Sequence, residues 1–201
     1  MLLLHFILAG ILYFTQGENT GWTMRVTEDG VSVYTRQVEG SAIEECRAVV
    51  TLPNTTVTQV LDIILDVKNY PSLFPDCNQA EILLQKGKYY DIHYYAMKAP
   101  WPVKDRDAIF ESATTVSPDG KRAQVLQKSA GDYMEEKKNY VRIKKGYASW
   151  DLEETEPGNI KVIYQFLTDP GGGIPAWLIN SAIVSNPLKT LHNLQARIKK
   201  S

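Results

Sequence analysis

The chain has 201 residues, of which 44% are hydrophobic and 22% charged. That is enough for one domain with a sizeable core, and it excludes a disordered chain. A formal net charge of −1 provides no basic footprint for a phosphate backbone, so nucleic acid is excluded as a partner.

The first element is Leu2–Phe14, an apolar run of signal-peptide length and too short for an ordinary membrane span. Thr15 and Gly17 put small residues where a signal peptidase reads, and Glu18-Asn19 opens a polar stretch. The run lacks a preceding Lys or Arg. We read residues 1–17 as a cleaved or anchoring export signal; the competing reading is a native N-terminal helix packed on the domain. The first implies a periplasmic or secreted protein, the second a cytoplasmic one.

After Gly17 the pattern is largely β. Gly30–Val38 alternates Val31, Val33 and Thr35 against Ser32, Tyr34 and Arg36, the period of a half-buried strand. Glu44–Leu52 is a second strand, with Glu39-Gly40-Ser41 as the hairpin turn. Thr55–Val67 reads as a helix with Val57, Val60, Leu61, Ile64 and Leu65 on one face and Asn54 as N-cap. A short helix or turn follows at Asn69–Phe74. Six strands come next: Ala80–Lys86, Tyr89–Met97, Arg106–Val116, Arg122–Lys128, Tyr140–Glu154 and Ile160–Thr168. Ser117-Pro118-Asp119-Gly120 and Glu156-Pro157-Gly158-Asn159 punctuate them, and such short connections fit antiparallel pairing.

The chain closes on Asp169-Pro170-Gly171-Gly172-Gly173 and a long apolar helix. Glycine suits the reversal, and Pro175 suits a first helical turn. Trp177, Val184, Leu188, Leu191, Leu194 and Ile198 recur at helical spacing. About 27 helical residues would extend roughly 40 Å. Asn186-Pro187 is expected to bend or weaken this helix near Ser185.

Motifs for chemistry are sparse. There is no G-x-S-x-G elbow, and the triple glycine lacks the Lys-Ser/Thr of a P-loop. Glu44-Glu45, Glu135-Glu136 and Glu153-Glu154 read as solvated charges. His5, His93 and His192 stand far apart with no metal-ligand spacing, so neither metal nor cofactor is expected. Cys46 and Cys77 leave one disulfide open. Eleven tyrosines and four tryptophans suit either a binding cavity or ordinary packing. Ala99–Glu111 stands out: Pro100 and Pro102 stiffen the approach to a strand on which Arg106 shares a face with Ala108 and Phe110. A buried guanidinium there would orient a ligand head group or join an ion pair, with Asp105, Asp107 or a residue of an adjacent strand.

Trp22, Asp29-Gly30-Val31, Val33-Tyr34, Trp101-Pro102-Val103, Asp105-Arg106-Asp107, Trp150, Leu152-Glu153, Asp169-Pro170-Gly171-Gly172 and Ile174-Pro175 together resemble the START family. These are the steroidogenic-acute-regulatory-protein-related lipid-transfer domains. The similarity covers residues 21–200 and is to a bacterial or short form, with the leader in place of an N-terminal helix. It implies an α+β helix-grip fold: a curved antiparallel sheet wrapped around the C-terminal helix, with two short helices after the second strand. It also implies that a lipid, sterol or other apolar molecule lies in an internal tunnel. Sterol-binding relatives often carry an arginine a few residues beyond the Arg-Asp pair; here the stretch is Phe110-Glu111-Ser112-Ala113, which counts against cholesterol.

Strand alternation and the resemblance nominate Tyr94, Trp101, Arg106, Phe110, Trp150, Tyr164, Phe166, Trp177 and Val184 as ligand-binding. The leading expectation is a monomeric, non-enzymatic carrier or sensor with one elongated cavity, gated by the C-terminal helix, with transient membrane contact. The alternative is an enzyme of the cyclase, aromatase or hydrolase type using the same cavity, with His93, Tyr94 or Tyr95 as acid or base. A third reading is a protein-interaction module, which would show an exposed apolar patch and no cavity.

Overall fold

The structure is a computed structural model and describes residues 21–174 and 176–200. The leader, residues 1–17, lies outside the described residues. The strands are β1 (Thr23–Glu28), β2 (Val31–Arg36), β3 (Glu45–Pro53), β4 (Cys77–Gln85), β5 (Tyr90–Met97), β6 (Asp105–Val116), β7 (Arg122–Ser129), β8 (Tyr140–Ile143), β9 (Lys145–Glu156) and β10 (Asn159–Asp169). The helices are α1 (Val57–Ile64), α2 (Tyr70–Leu73) and α3 (Ala176–Ile198), with a 3-10 turn at Val67–Asn69 before α2. One sheet runs β1-β2-β3-β10-β9-β7-β6-β5-β4, antiparallel throughout, and β8 adds to β6 in parallel. This is the α+β helix-grip arrangement expected from the sequence. Among the described residues no helix is long and apolar enough to cross a membrane.

Three local features differ from expectation. β1 is absent from the sequence reading because an edge strand with one partner has no face to bury: five of its six residues are exposed. The helix cap is Thr56 rather than Asn54. Thr56 Oγ1 accepts from the Gln59 amide at 3.2 Å, and Gln59 Oε1 accepts from the Thr56 amide at 3.0 Å, a reciprocal capping box. The single strand expected over Tyr140–Glu154 is two. β8 pairs with Asp105–Ala108 of β6, just short of Phe110, where the pairing of β6 with β7 begins. The chain then crosses at Lys144 to join β9 to β7 and β10. Gly146 follows that crossing at the start of β9, and a Cβ there would stand 2.9 Å from the Leu167 carbonyl oxygen.

The main core lies on the concave face. Val31 and Val33 of β2, Cys46, Ala48, Val50 and Leu52 of β3, and Trp150, Leu152, Ile160 and Val162 of β9–β10 meet α1 and the C-terminal half of α3. Leu191 and Leu194 have no exposure. The helix continues through Pro187 without a break, although that residue cannot donate to the Ile183 carbonyl. A smaller core covers the convex face of β5 and β6, where Ile92, Tyr94, Ala96 and Ile109 pack with Met134 and Tyr140. Both cysteines are free and buried, so the disulfide left open by the sequence is not formed. Burial pushes the Cys46 thiol up to about 12 and the Cys77 thiol up to about 11. Because the thiolate is the nucleophile, neither should react with iodoacetamide at neutral pH in the native protein. Mass spectrometry before and after denaturation checks this.

Candidate functional site

The N-terminal half of α3 stands away from the sheet, and between them lies a cavity of about 670 Å³. Register determines who faces it. Arg106, Ala108 and Phe110 of β6 stand opposite Met97, Tyr95 and His93 of β5, and directly paired residues point to the same side of a sheet. Arg106, Phe110, Met97, Tyr95 and His93 all line the cavity. β10 adds Tyr164 and Phe166, β7 adds Gln127, α2 with its following loop adds Tyr70, Phe74 and Asp76, and the start of β4 adds Cys77. Leu178, Ile179, Ala182, Ile183 and Asn186 of α3 complete the wall.

The lining is a connected set of rings. Phe74 stacks with Tyr95 at 6.2 Å, Tyr95 with Phe110 at 5.9 Å, and Tyr164 with Trp150 at 4.0 Å between centroids. Burial pushes the Tyr70, Tyr95 and Tyr164 hydroxyls well above their ordinary range, so they stay neutral. The mouth is where lining residues are exposed: Asp76, Lys98, Pro100, Ser181 and Lys189. Asn186 Nδ2 donates to Asp76 Oδ2 at 2.7 Å, tying mid-α3 to the loop after α2.

Of the nine nominated residues, Arg106, Phe110, Tyr164 and Phe166 line the cavity. Tyr94 does not; it pairs with Ile109 and faces the convex core, since one step along a strand reverses the face. Trp150 is one layer deeper, buried against Tyr164 and Phe74. Val184 packs into the main core, while its neighbours Ile183 and Ser185 line the cavity. Trp101 is 93% exposed at the tip of the β5–β6 loop. Trp177 falls in the first turn of α3, and its side chain lies outside the described residues. Sequence reasoning did not nominate Tyr70, Phe74, His93, Tyr95 or Gln127 as ligand contacts. His93 and Tyr95 follow from Arg106 once the β5–β6 register is known; nothing local marks Tyr70 or Phe74.

Arg106 is buried as expected, but its partner is not a carboxylate. Nε donates to the Pro170 carbonyl at 3.4 Å, Nη2 to the Gly171 carbonyl at 3.1 Å and Nη1 to the Lys104 carbonyl. Burial pulls its pKa down, with Asp105 opposing. Asp107 instead pairs with Arg142, and Asp105 Oδ1 accepts from the Ala99 amide at 3.0 Å. Arg106 therefore holds the turn between β10 and α3. Arg106→Ala should cost about 1.5–3 kcal/mol, the range for charged hydrogen bonds. It should also raise amide exchange across residues 170–174; unchanged exchange there would refute the turn-holding role.

The histidines are not all isolated: the fold brings His192 to Glu28 and Asp29, with ligand atoms within 4.8 Å of one another at the surface.

A curved sheet gripping one long helix over an aromatic cavity defines a helix-grip domain with an internal site. The model of the START domain matches residues 14–201, and the chain belongs to that family. An uncharacterized protein of Pseudomonas aeruginosa is 34% identical over 180 residues, 89% of this chain and 87% of that protein. Human phosphatidylcholine transfer protein is 24% identical over 164 residues, 80% of this chain and 76% of its own. The solved STAR-related lipid transfer protein of Xanthomonas axonopodis is 31% identical, with a TM-score of 0.80 over 89% of this chain and 99% of that one.

Proposed function

We propose that the protein is a non-enzymatic carrier that binds a lipid or other apolar molecule, one per monomer, in the cavity between the sheet and α3. The observation that carries this reading is the aromatic lining of an internal space of about 670 Å³, within the roughly 300–1,000 Å³ of small-molecule sites. Apolar ligand surface leaving water there contributes about 25 cal/mol per Å². The relatives named for transfer of phosphatidylcholine and of lipid support the same class of ligand. Cys77, which also lines the cavity, is no nucleophile there: burial keeps its thiol protonated, and its Sγ donates to the Gln79 carbonyl at 3.4 Å.

Loading takes place at a membrane surface, touched by the β5–β6 loop. Trp101 is 93% exposed at its tip, with exposed Lys98 and Lys104 beside it. An amphipathic ring flanked by lysines suits an anionic interface. The leader, if it is an export signal, puts that membrane outside the cytoplasm.

A panel of fluorescent phospholipids, sterols and fatty acids should include at least one saturable, stoichiometric ligand; binding by none would overturn the proposal. Native mass spectrometry of protein purified from its own organism would show what travels with it. Trp101→Ala should slow transfer between anionic vesicles while leaving the melting temperature unchanged. Equal transfer rates would remove the loop from the membrane contact.

A further inference from the structure

One end of the cavity is polar in a way the aromatic lining does not require. His93 is 1% exposed, and its Nδ1 lies 2.6 Å from Asp91 Oδ1. An ionised carboxylate only accepts, so a proton on Nδ1 faces Asp91, and in the neutral imidazole Nε2 then presents a lone pair. The Tyr70 ring sits edge-on at 5.4 Å and 86°, and Phe110 stacks at 6.3 Å, which holds the imidazole in place. Nε2 has no protein partner among the described residues. Tyr70, 3% exposed, accepts from Gln127 Nε2 at 3.3 Å. Its own proton has no acceptor among the described residues. Both side chains line the cavity.

The site thus offers one acceptor and one donor, each more than nine-tenths buried. Buried polar groups left unpaired are costly, so the occupant should satisfy both. We propose that His93 and Tyr70 are the specificity-determining end of the site and that they take a lipid hydroxyl, which donates to His93 Nε2 and accepts from Tyr70. This rests on the cavity being a lipid site, and it narrows the ligand to a neutral lipid alcohol. A carboxylate or phosphate brings only acceptors: it would face the Nε2 lone pair and place negative charge near Asp91. An ether has no proton to donate to Nε2.

Displacement of a prebound fluorescent lipid by cetyl alcohol, its methyl ether and palmitate tests this. The alcohol should bind about tenfold tighter than the ether, the worth of one net hydrogen bond. His93→Asn keeps an N–H for Asp91 and has nothing at the Nε2 position, so it should retain the melting temperature and lose that preference. If it fails to fold, Tyr70→Phe gives the second readout, with the preference reduced. Equal affinity of alcohol and ether in the wild-type protein, or a preference for palmitate, overturns the inference and leaves lipid binding standing. Should none of the three displace the probe, the hydroxyl site is refuted; if the wider lipid panel is also silent, the carrier reading falls with it.

Discussion

Arg142→Ala is expected to be the most destabilising single change in the domain outside its core, costing about 3–5 kcal/mol, or roughly 6–20 °C in melting temperature for a chain of this size. Arg142 and Asp107 have no side-chain exposure. The guanidinium grips both carboxylate oxygens, Nε to Oδ1 and Nη2 to Oδ2, each at 2.9 Å. Its remaining N–H groups reach the carbonyls of Gly131 at 2.8 Å, Met134 at 3.1 Å and Glu135 at 3.3 Å. All five donors of the side chain are thereby used. The bond to Asp107 raises the arginine's pKa further, with burial opposing. Alanine would strand a buried carboxylate on β6 and release the segment that covers the convex core. The control is Arg142→Met combined with Asp107→Leu. Apolar residues filling the same space should recover much of the loss, because desolvating two charges offsets most of what their attraction contributes. Thermal unfolding of the single and double variants decides it: equal destabilisation in both would mean that the carbonyl contacts, not the charge pair, hold this face together.

The fold was legible where burial is one-sided. Val31, Val33 and Thr35 show the β2 face without any knowledge of its partners. The Asp-Pro-Gly-Gly turn likewise announces α3. Legibility stopped where an answer depends on a neighbour. Tyr94 and Tyr95 are equally aromatic and adjacent, and only pairing with β6 says which one faces the cavity. Arg106 was recognisable as a cation that needs partners, yet those partners are backbone carbonyls, two of them 64 and 65 residues away, and carbonyls leave no mark in a sequence. Arg142 drew no notice because Tyr140–Glu154 reads as one strand; the crossing at Lys144, which carries β8 to β6, is a tertiary event. Trp101 shows the opposite error. A tryptophan held between two prolines reads as a ligand contact, and the loop presents it to solvent.

The other large effect concerns the gate. A molecule enclosed between sheet and helix needs an element that opens, and such motions run on microsecond-to-millisecond timescales. The two halves of α3 differ in what holds them. Beyond Pro187, Leu191 and Leu194 are locked into the main core. Before it, Leu178, Ile179 and Ala182 face the cavity, and Pro187 has removed the backbone bond to Ile183. One side-chain bond, Asn186 to Asp76 at 2.7 Å, fastens the middle of the helix across the mouth. Opening should therefore swing the N-terminal half about the Gly171–Gly173 turn, with Asn186–Asp76 as its latch. Asp76→Ala should speed ligand release without changing the fold. A cysteine pair at Asp76 and Asn186, in a Cys77→Ala background, should slow it about tenfold or more when oxidised, equivalent to about 1.4 kcal/mol on the barrier. Reduction should restore the original rate. Stopped-flow transfer of a fluorescent lipid to acceptor vesicles measures all three proteins. If the oxidised and reduced forms release ligand equally fast, the helix is a fixed wall and passage runs through the β5–β6 loop at Pro100 and Val103, which line the same cavity.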